Sequence, residues 1–276
     1  MLADKNIGFL GAGNMGEALI AGLVKACIIE PHRVLASRRS EVALAYLKDT
    51  YGIRTTTDNR ELVRQSDVVV LSVKPQVMQT VLDECSDAFR EGQVVISIAA
   101  GITTTYLDAR VGHSIPVVRV MPNTPALVGE AMSPFCLGRH GSDAQALLAS
   151  EIFSAVGVTV QVQETAMDAI TALSGTGPAY LFYLLEGLIE AGVEMGLPEH
   201  LSRALVRQTA YGAAKLVVET TRSPRQLRAQ VTSPQGTTHA AMTFLDSAGF
   251  LKELAEAVQR ARERAKELGQ AINTPR

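Results

Sequence analysis

Three glycines near the amino terminus form the first group of residues suited to chemistry, in the run Gly11-Ala12-Gly13-Asn14-Met15-Gly16. This GxGxxG pattern follows a strand-like run, residues 6–10, and opens a helical pattern. There the first glycine permits a tight turn, the second lets the backbone approach a pyrophosphate, and the third lets helix and strand pack closely. The pattern predicts dinucleotide binding, with a ligand-free glycine turn as the alternative. The predicted phosphate-binding residues are Gly11, Gly13, Asn14, Met15 and Gly16.

The residues after the second strand-like run indicate which dinucleotide would bind. That run ends in Ser37, and Arg38, Arg39 and Ser40 follow it. An enzyme that uses NAD usually has Asp or Glu here to hold the ribose 2′-hydroxyl. Guanidinium and hydroxyl groups can instead bind a 2′-phosphate. The pattern therefore favours NADP, with NAD as a less preferred cofactor, and an ordinary basic loop is the alternative.

Other strand ends are expected at the same crevice, because ligands of open α/β sheets bind beyond the carboxyl ends of the strands. Pro122 and Pro125 enclose Asn123-Thr124 and stiffen that loop, which suits the holding of a nicotinamide ring. Ordinary turn chemistry explains these segments equally well. The candidate cofactor residues at these ends are Val73, Lys74, Pro75, Ala100, Gly101 and Asn123.

A second polar group lies in residues 227–239, where one helical pattern breaks and another begins. Pro234 would stop the first helix, and the amides of Gly236, Thr237 and Thr238 would be free, with the Ser233 hydroxyl beside them. Such a helix start fits a small carboxylate. A helix capped by a hydroxyl explains the same spacing, and spacing alone favours that simpler interpretation.

Composition argues against several other kinds of site. The chain has 26 Lys and Arg against 28 Asp and Glu, a net charge of -2, so no general positive field draws it to nucleic acid or an anionic membrane. Its three cysteines and five histidines are scattered, which predicts neither a disulfide framework nor a metal site. No apolar run is long enough to span a bilayer. We expect a cytoplasmic protein.

The elements that position these residues fall into two predicted domains. In residues 1–163, β-branched runs alternate with helical patterns, which predicts an α/β, Rossmann-type, doubly wound and mainly parallel sheet. In residues 164–276 the period changes to about three and a half and no convincing strand follows, which predicts an all-helical domain. The predicted strands are residues 6–10, 33–37, 67–73, 93–99 and 116–121, with 131–137 and 158–162 extending the sheet. The predicted helices of this domain are about residues 14–26, 41–49, 76–89 and 103–109, with another near 143–153.

Two helical patterns of the second domain bear on assembly. Residues 180–195 are apolar nearly all round, which predicts a helix buried on several sides. A single small helical domain could hardly cover it, which favours a subunit interface over the internal core of that domain. The last helix, residues 251–268, carries an apolar stripe that suits either its own domain or another subunit. The tail from Gly269 is expected to be loose.

Six segments in order resemble the pyrroline-5-carboxylate reductase family. The last is the family's signature, whereas the first is shared by many dehydrogenases. The resemblance implies NADPH-dependent hydride transfer to the ring C=N carbon of 1-pyrroline-5-carboxylate, which gives L-proline in the last step of proline biosynthesis. The segments are IGFLGAGNMGEALIAGL from Ile7, SVKPQ from Ser72, MPNTPALVG from Met121, ALSGTGPAY from Ala172, MGLP from Met195 and VTSPQGTTHAAMTFLD from Val231.

The resemblance also implies roles for cofactor residues. Ser37 and Arg38 would hold the 2′-phosphate, and Asn59 would lie near the adenosine ribose. Lys74 and Pro75 would line the cleft. By the same resemblance, Asn123 lies beside the nicotinamide ribose.

For the substrate, the resemblance implies that Ser233, Gly236 and Thr237 bind the carboxylate and that the Thr238 hydroxyl hydrogen-bonds the ring nitrogen. Threonine is too weak an acid to be a general acid, so Thr238 is interpreted as an orienting group. Gln235 stands where the family usually has glycine, which would strain a backbone of positive φ. Family members form homodimers through the helical domain, and these often join into a larger ring such as a decamer.

Two other functions stay open. A β-hydroxyacid dehydrogenase shares the first motif and a helical second domain, but its catalytic lysine has no counterpart in residues 175–182, and the nearest later lysine in this domain is Lys215. A non-catalytic NADPH sensor would need only the glycine turn. Binding of NADPH without turnover of cyclic imines would favour the sensor.

Overall fold

The computed structural model describes residues 2, 4–112 and 114–273. Eight strands form one sheet in the order β3-β2-β1-β4-β5-β6-β7-β8. Strands β1 to β6 are all parallel, β7 is antiparallel to β6, and β8 is parallel to β7. The strands are β1 (Ile7–Leu10), β2 (Val34–Ser37), β3 (Arg54–Thr56), β4 (Val68–Leu71), β5 (Val94–Ser97), β6 (Val117–Val120), β7 (Ala131–Leu137) and β8 (Gly157–Gln161).

The central strands are apolar along their whole length because both faces of the sheet are covered. Val68 and Val70 belong to one hydrophobic cluster, and Val69 and Leu71 belong to the cluster on the other face. The strand order reverses between β1 and β4, which opens a crevice at their carboxyl ends. The predicted doubly wound fold is therefore confirmed.

The helices begin and end close to most of the predicted patterns. In the sheet region they are α1 (Asn14–Lys25), α2 (Glu41–Tyr51), α3 (Asn59–Gln65), α4 (Met78–Glu84), α5 (Thr104–Val111), α6 (Asp143–Ser154) and α7 (Met167–Ile170), followed by a π-helical turn, Thr171–Gly175. The remaining helices are α8 (Gly177–Glu194), α9 (Glu199–Glu219), α10 (Pro224–Gln230), α11 (Thr237–Ser247) and α12 (Phe250–Asn273).

Two elements between β2 and β4 do not appear among the predicted strands and helices. Strand β3 has three residues and α3 has seven, which is too short for either period to stand out. Helix α3 begins where the Asp58 carboxylate accepts the backbone N–H groups of Arg60 (2.8 Å) and Glu61 (3.1 Å). Asp58 is therefore an N-cap, and this was the local signal available in the sequence.

The chain divides into two compact units, residues 1–176 with 261–276 and residues 177–260. The first unit contains both hydrophobic clusters. In the second unit no apolar side chain is buried among the described residues. The boundary between residues 163 and 164 stays a prediction.

The single chain leaves the apolar helix α8 largely exposed, and its burial in a subunit interface stays a prediction. In α8 only Gly192 is buried, and Phe182 and Tyr183 are 59% and 79% exposed. Five helices without a sheet offer too little surface to cover an apolar cylinder. No helix of the described residues is long and apolar enough to cross a membrane.

Helix α12 is divided between the two compact units, which matches neither packing within the helical domain alone nor a demonstrated subunit interface. Leu251 and Leu254 in its first half are exposed, whereas Ala265 is buried in the first unit. A Cβ on Gly101, which has φ +77°, would lie 3.1 Å from the backbone nitrogen of Gly269. The expected loose tail is wrong from Gly269 to Asn273, which is helical, and residues 274–276 lie outside the described residues.

Candidate functional site

The glycine turn at the start of α1 is held by the backbone of β2. The N–H groups of Gly11 (3.1 Å) and Ala12 (3.0 Å) both donate to the carbonyl oxygen of Ser37. Gly11 has φ +82°, and a Cβ there would lie 2.4 Å from Val73 Cγ1, so both conformation and space require glycine. A Cβ on Gly13 would have no neighbour nearer than 3.9 Å, which leaves that face of the turn open.

The first turn of α1 offers free donors. Gly13 is the N-cap and makes no side-chain capping bond. Within the described part of the chain, no residue accepts from the backbone N–H groups of Asn14, Met15 and Gly16. A Cβ on Gly16 would lie 3.0 Å from Ser72 Oγ, so glycine here lets α1 approach the end of β4. These features fit a pyrophosphate, because free amides and the helix dipole both favour negative charge.

The end of β2 brings together two predicted ribose residues and a third that was not predicted. Ser37, which is 1% exposed, donates its hydroxyl to Asn59 Oδ1 at 2.7 Å. Asn59 Nδ2 donates to Glu84 Oε2 at 3.1 Å. No sequence signal indicated Glu84, since it ends α4 and only the packing of α3 beside α4 places it here.

The basic residues of this loop differ in their surroundings. Arg38 is half-buried and Arg39 is exposed, and neither guanidinium has an acceptor among the described residues. The Ser40 hydroxyl accepts the Ala43 backbone N–H at 3.3 Å and caps α2. Ser40 therefore has a structural role, and Arg38 is the half-buried cation available for a phosphate.

The end of β4 is tied to the glycine turn. Ser72 Oγ donates to the carbonyl oxygens of Leu10 (3.0 Å) and Gly11 (3.1 Å). Val73 packs on Gly11, and Lys74 is exposed just before the short 3₁₀ turn Pro75–Val77. This segment therefore supports the turn from the neighbouring strand.

The segments after β5 and β6 make specific contacts within the chain, and their cofactor roles stay predictions. Ala100 is half-buried, while Gly101 is buried and lies close to the backbone of Gly269. The Asn123 side chain is engaged within the chain: its Nδ2 donates to Ser174 O (3.2 Å) and Ser174 Oγ (3.4 Å), and its Oδ1 accepts the Met132 N–H (3.0 Å). Asn123 thus fixes the π-helical turn, a conformation frequent at functional sites.

The sequence did not indicate an ion pair next to this turn, in which a buried arginine meets two partly exposed carboxylates. Arg119, whose side chain is 4% exposed, lies 3.2 Å from Glu164 Oε1 and 3.9 Å from Asp168 Oδ1. Glu164 also accepts the Thr104 N–H (2.7 Å) and hydroxyl (2.5 Å) at the start of α5. An arginine within the otherwise apolar run of β6 was the available signal.

The helix start at α11 has the second set of predicted residues. Its N-cap is Gly236, with no side-chain capping bond, so the hydroxyl-capped helix is wrong here. The predicted free amide of Gly236 is also wrong, because it donates to Ser233 O at 3.0 Å in a tight turn. Within the described residues, the amides of Thr237, Thr238 and His239 have no acceptor.

Gln235 adopts φ +59° in this turn. This is the left-handed region, in which a non-glycine residue is strained by about 1 kcal/mol. Ser233 is exposed and Thr238 is half-buried. The candidate substrate residues lie in the second compact unit and the candidate cofactor residues in the first.

Two of the three cysteines, Cys85 and Cys136, are buried. No group of three or more His, Cys, Asp and Glu side chains among the described residues could hold a metal ion. Burial raises the pKa of the Cys85 and Cys136 thiols to about 12, which keeps both protonated at neutral pH.

Sequence comparison decides the family. A family model described as pyrroline-5-carboxylate reductase dimerisation matches residues 164–268, and one described as NADP oxidoreductase, coenzyme F420-dependent, matches residues 6–101. The pyrroline-5-carboxylate reductase of Methanosarcina acetivorans is 44% identical over 269 residues, which is 97% of this chain and 99% of that protein. This chain belongs to the pyrroline-5-carboxylate reductase family.

Solved structures of pyrroline-5-carboxylate reductases agree. That of Coxiella burnetii is 39% identical, with a TM-score of 0.89 over 96% of this chain and 98% of that one. That of Plasmodium falciparum, which has NADP bound, is 33% identical, with a TM-score of 0.88 over 98% and 100%. The resemblance seen in the sequence motifs is confirmed.

Proposed function

We propose that this chain reduces 1-pyrroline-5-carboxylate to L-proline with NADPH, the last step of proline biosynthesis. The observation that carries the proposal is the similarity to pyrroline-5-carboxylate reductases over nearly the whole chain. Two helix starts without side-chain caps, at α1 and α11, suit the two anionic groups that the reaction brings together, a pyrophosphate and a carboxylate.

On the cofactor side, the free amides of Asn14, Met15 and Gly16 would hold the pyrophosphate. Arg38 would face the 2′-phosphate. When bound, NADPH supplies the hydride. The chain's own contribution is to fix the position of the dinucleotide, and well-oriented reactants can supply a large part of a rate enhancement.

On the substrate side, the amides of Thr237, Thr238 and His239 with the Ser233 hydroxyl would bind the carboxylate. The Thr238 hydroxyl would hold the ring nitrogen. The protonated ring C=N accepts a hydride at carbon, and its electron pair moves to nitrogen, so the product is a neutral ring amine that gains its next proton from water. Thr238 orients the ring throughout and does not itself supply a proton.

The same proposal includes the assembly. The exposed apolar side chains of α8 and the dimerisation match at residues 164–268 support a homodimer through the helical region. We extend this to a ring of dimers such as a decamer, in the cytoplasm. Sedimentation velocity would report the copy number, and a monomer with full activity would contradict the proposal.

The test of function is NADPH oxidation by the purified protein with pyrroline-5-carboxylate, followed beside the same reaction with NADH. We expect rapid turnover, with the higher kcat/KM for NADPH, and L-proline as the product. Binding of NADPH without oxidation would contradict the proposal and favour the sensor.

A further inference from the structure

The end of β2 carries a hydrogen-bond chain that terminates on a carboxylate. Ser37 is fixed there because its carbonyl oxygen accepts the N–H groups of Gly11 and Ala12. Its hydroxyl donates to Asn59 Oδ1 at 2.7 Å, and Asn59 Nδ2 donates to Glu84 Oε2 at 3.1 Å. In this fold the end of the second strand is where the adenosine ribose is held. Glu84 therefore acts on the ribose site through two residues.

The Glu84 carboxylate sets the direction of both hydrogen bonds in the series Ser37–Asn59–Glu84. An ionised carboxylate only accepts, so Asn59 must turn its NH₂ group toward Glu84 and its carbonyl oxygen toward Ser37. A serine hydroxyl has a single proton, and here that proton is used on Asn59. Ser37 Oγ can then only accept from a ligand. A ribose 2′-hydroxyl can donate to it, whereas a 2′-phosphate, which offers acceptor oxygens, cannot.

Local charge acts in the same direction. The guanidinium of Arg60, the residue after Asn59 in the sequence, is paired with Asp87, with Nε to Oδ1 at 3.1 Å and Nη2 to Oδ2 at 2.5 Å. Arg64 also lies 3.6 Å from Asp87. Both cations are therefore engaged by Asp87, and neither is paired with Glu84. Arg38 and the second amide proton of Asn59 remain as donors to a 2′-phosphate.

We propose that Glu84 is a specificity-determining residue for the cofactor, which rests on the function proposed above. By holding Ser37 as a hydrogen-bond acceptor through Asn59, Glu84 favours the 2′-hydroxyl of NADH and opposes the 2′-phosphate of NADPH. The preference for NADPH is the balance between Arg38 and this hydrogen-bond chain. The enzyme therefore keeps measurable use of NADH.

The test is Glu84→Gln, which keeps the shape and lets the side chain donate. Asn59 can then reverse and release the Ser37 proton toward a phosphate. Isothermal titration calorimetry with 2′,5′-ADP and with 5′-AMP, which differ only in the 2′-phosphate, measures the adenosine end without turnover. We expect the affinity ratio for 2′,5′-ADP over 5′-AMP to rise about 5- to 10-fold, the size of one added net hydrogen bond. The kcat/KM ratio of NADPH over NADH should rise with it.

Glu61→Gln is the matched control. Glu61 is a carboxylate on the same helix as Asn59, but it bonds Thr56 (2.7 Å) and Gln65 (2.9 Å) instead. We expect it to change the affinity ratio less than about 2-fold, because a distant exposed charge is screened. An equal effect of both variants would overturn the proposal in favour of general charge. No effect of Glu84→Gln would also overturn it.

Ser37→Ala tests the route. In that background Glu84→Gln should no longer raise the ratio, because no hydroxyl proton remains to be released, and an undiminished effect would overturn the route through Ser37. Wild-type protein that binds neither nucleotide would refute the dinucleotide part of the proposed function. Wild-type protein that binds both but reduces no imine would refute the reaction alone and leave the Glu84 comparison measurable.

Discussion

The first turns of helices α1 and α11 have the same local feature in different surroundings. Each has a glycine N-cap without a side-chain cap, and each leaves three amides without an acceptor among the described residues. At α1 the turn is bound to the Ser37 carbonyl and packed on Val73. At α11 the turn is closed only by the bond from Gly236 to Ser233, and its residues are half-buried or exposed.

The difference shows what each unit supplies by itself. A doubly wound sheet covers both of its faces and fixes its own ligand turn through backbone bonds from a neighbouring strand. The helical unit buries no apolar side chain among its described residues, so its helix start lacks a comparable frame within the chain. We therefore expect the α1 turn to tolerate no change of shape, and the α11 turn to tolerate changes that keep its functional groups.

The largest effect is expected from Gly11→Ala. The new methyl would lie 2.4 Å from Val73 Cγ1 at φ +82°. We expect the free energy of unfolding to fall by about 3 kcal/mol and NADPH affinity to fall about 100-fold. Chemical denaturation and calorimetric titration would measure these.

Gly92→Ala is the control for Gly11→Ala. Gly92 has φ +85°, but nothing lies within 4 Å of its added Cβ, so only the backbone strain applies. A loss of about 1 kcal/mol with unchanged NADPH affinity is expected. Equal losses in the two variants would show that packing on Val73 is unimportant.

Thr238→Ala comes next in size. We expect kcat to fall roughly 10-fold or more, because the ring nitrogen loses its orienting hydroxyl, while NADPH affinity stays unchanged. Thr238→Ser should restore most of the activity. Thr243→Ala is the matched control, since the Thr243 hydroxyl donates to His239 O within the same helix. Unchanged kinetics in Thr238→Ala would remove this residue from the site.

A smaller effect is expected from Gln235→Gly. Glycine removes the strain at φ +59° but increases the freedom of the unfolded chain. We expect the unfolding free energy to rise by about 0.5 kcal/mol and the substrate KM to change less than about threefold. Urea denaturation and steady-state kinetics would measure both. Destabilisation would show that Gln235 makes a contact that outweighs the strain.

The smallest effect concerns Glu17 in the first turn of α1. Tyr51 donates to Glu17 Oε1 at 3.2 Å, and burial together with this carboxylate raises the pKa of Tyr51 from 10.0 to about 12. A raised folded-state pKa stabilises the protein below pH 10, and that contribution is lost as pH rises through 12.

Tyr51→Phe should therefore lose less stability than wild type between pH 10 and 12. Denaturation at both pH values would measure the difference. The raised pKa values of Cys85 and Cys136 add the same pH dependence of stability to both proteins, so the difference between the two proteins reports on Tyr51. Parallel curves for the two proteins would contradict the role of the Glu17 contact.

The sequence predicted those elements in which a single spacing of apolar residues or a single motif dominates. The apolar runs of β1, β4 and β5 and the order of glycines in the first turn could be read directly, because strand burial and helix entry are local properties. Strand β3 and helix α3 were missed because they are too short to show a period. Because helix α3 was not predicted, the hydrogen bonds of Asn59 to Ser37 and Glu84 were not predicted either, although the family resemblance had named Asn59.

By itself, the sequence determined the family, the doubly wound order of elements and the residue types at both helix starts. Only the tertiary structure decided which side chains are already engaged: Asn123 on Ser174, Ser37 on Asn59 and Gly101 against Gly269. The reason is physical. Periodicity reports which face of an element is apolar, whereas these contacts join residues far apart in the chain, and their partners depend on how whole elements pack.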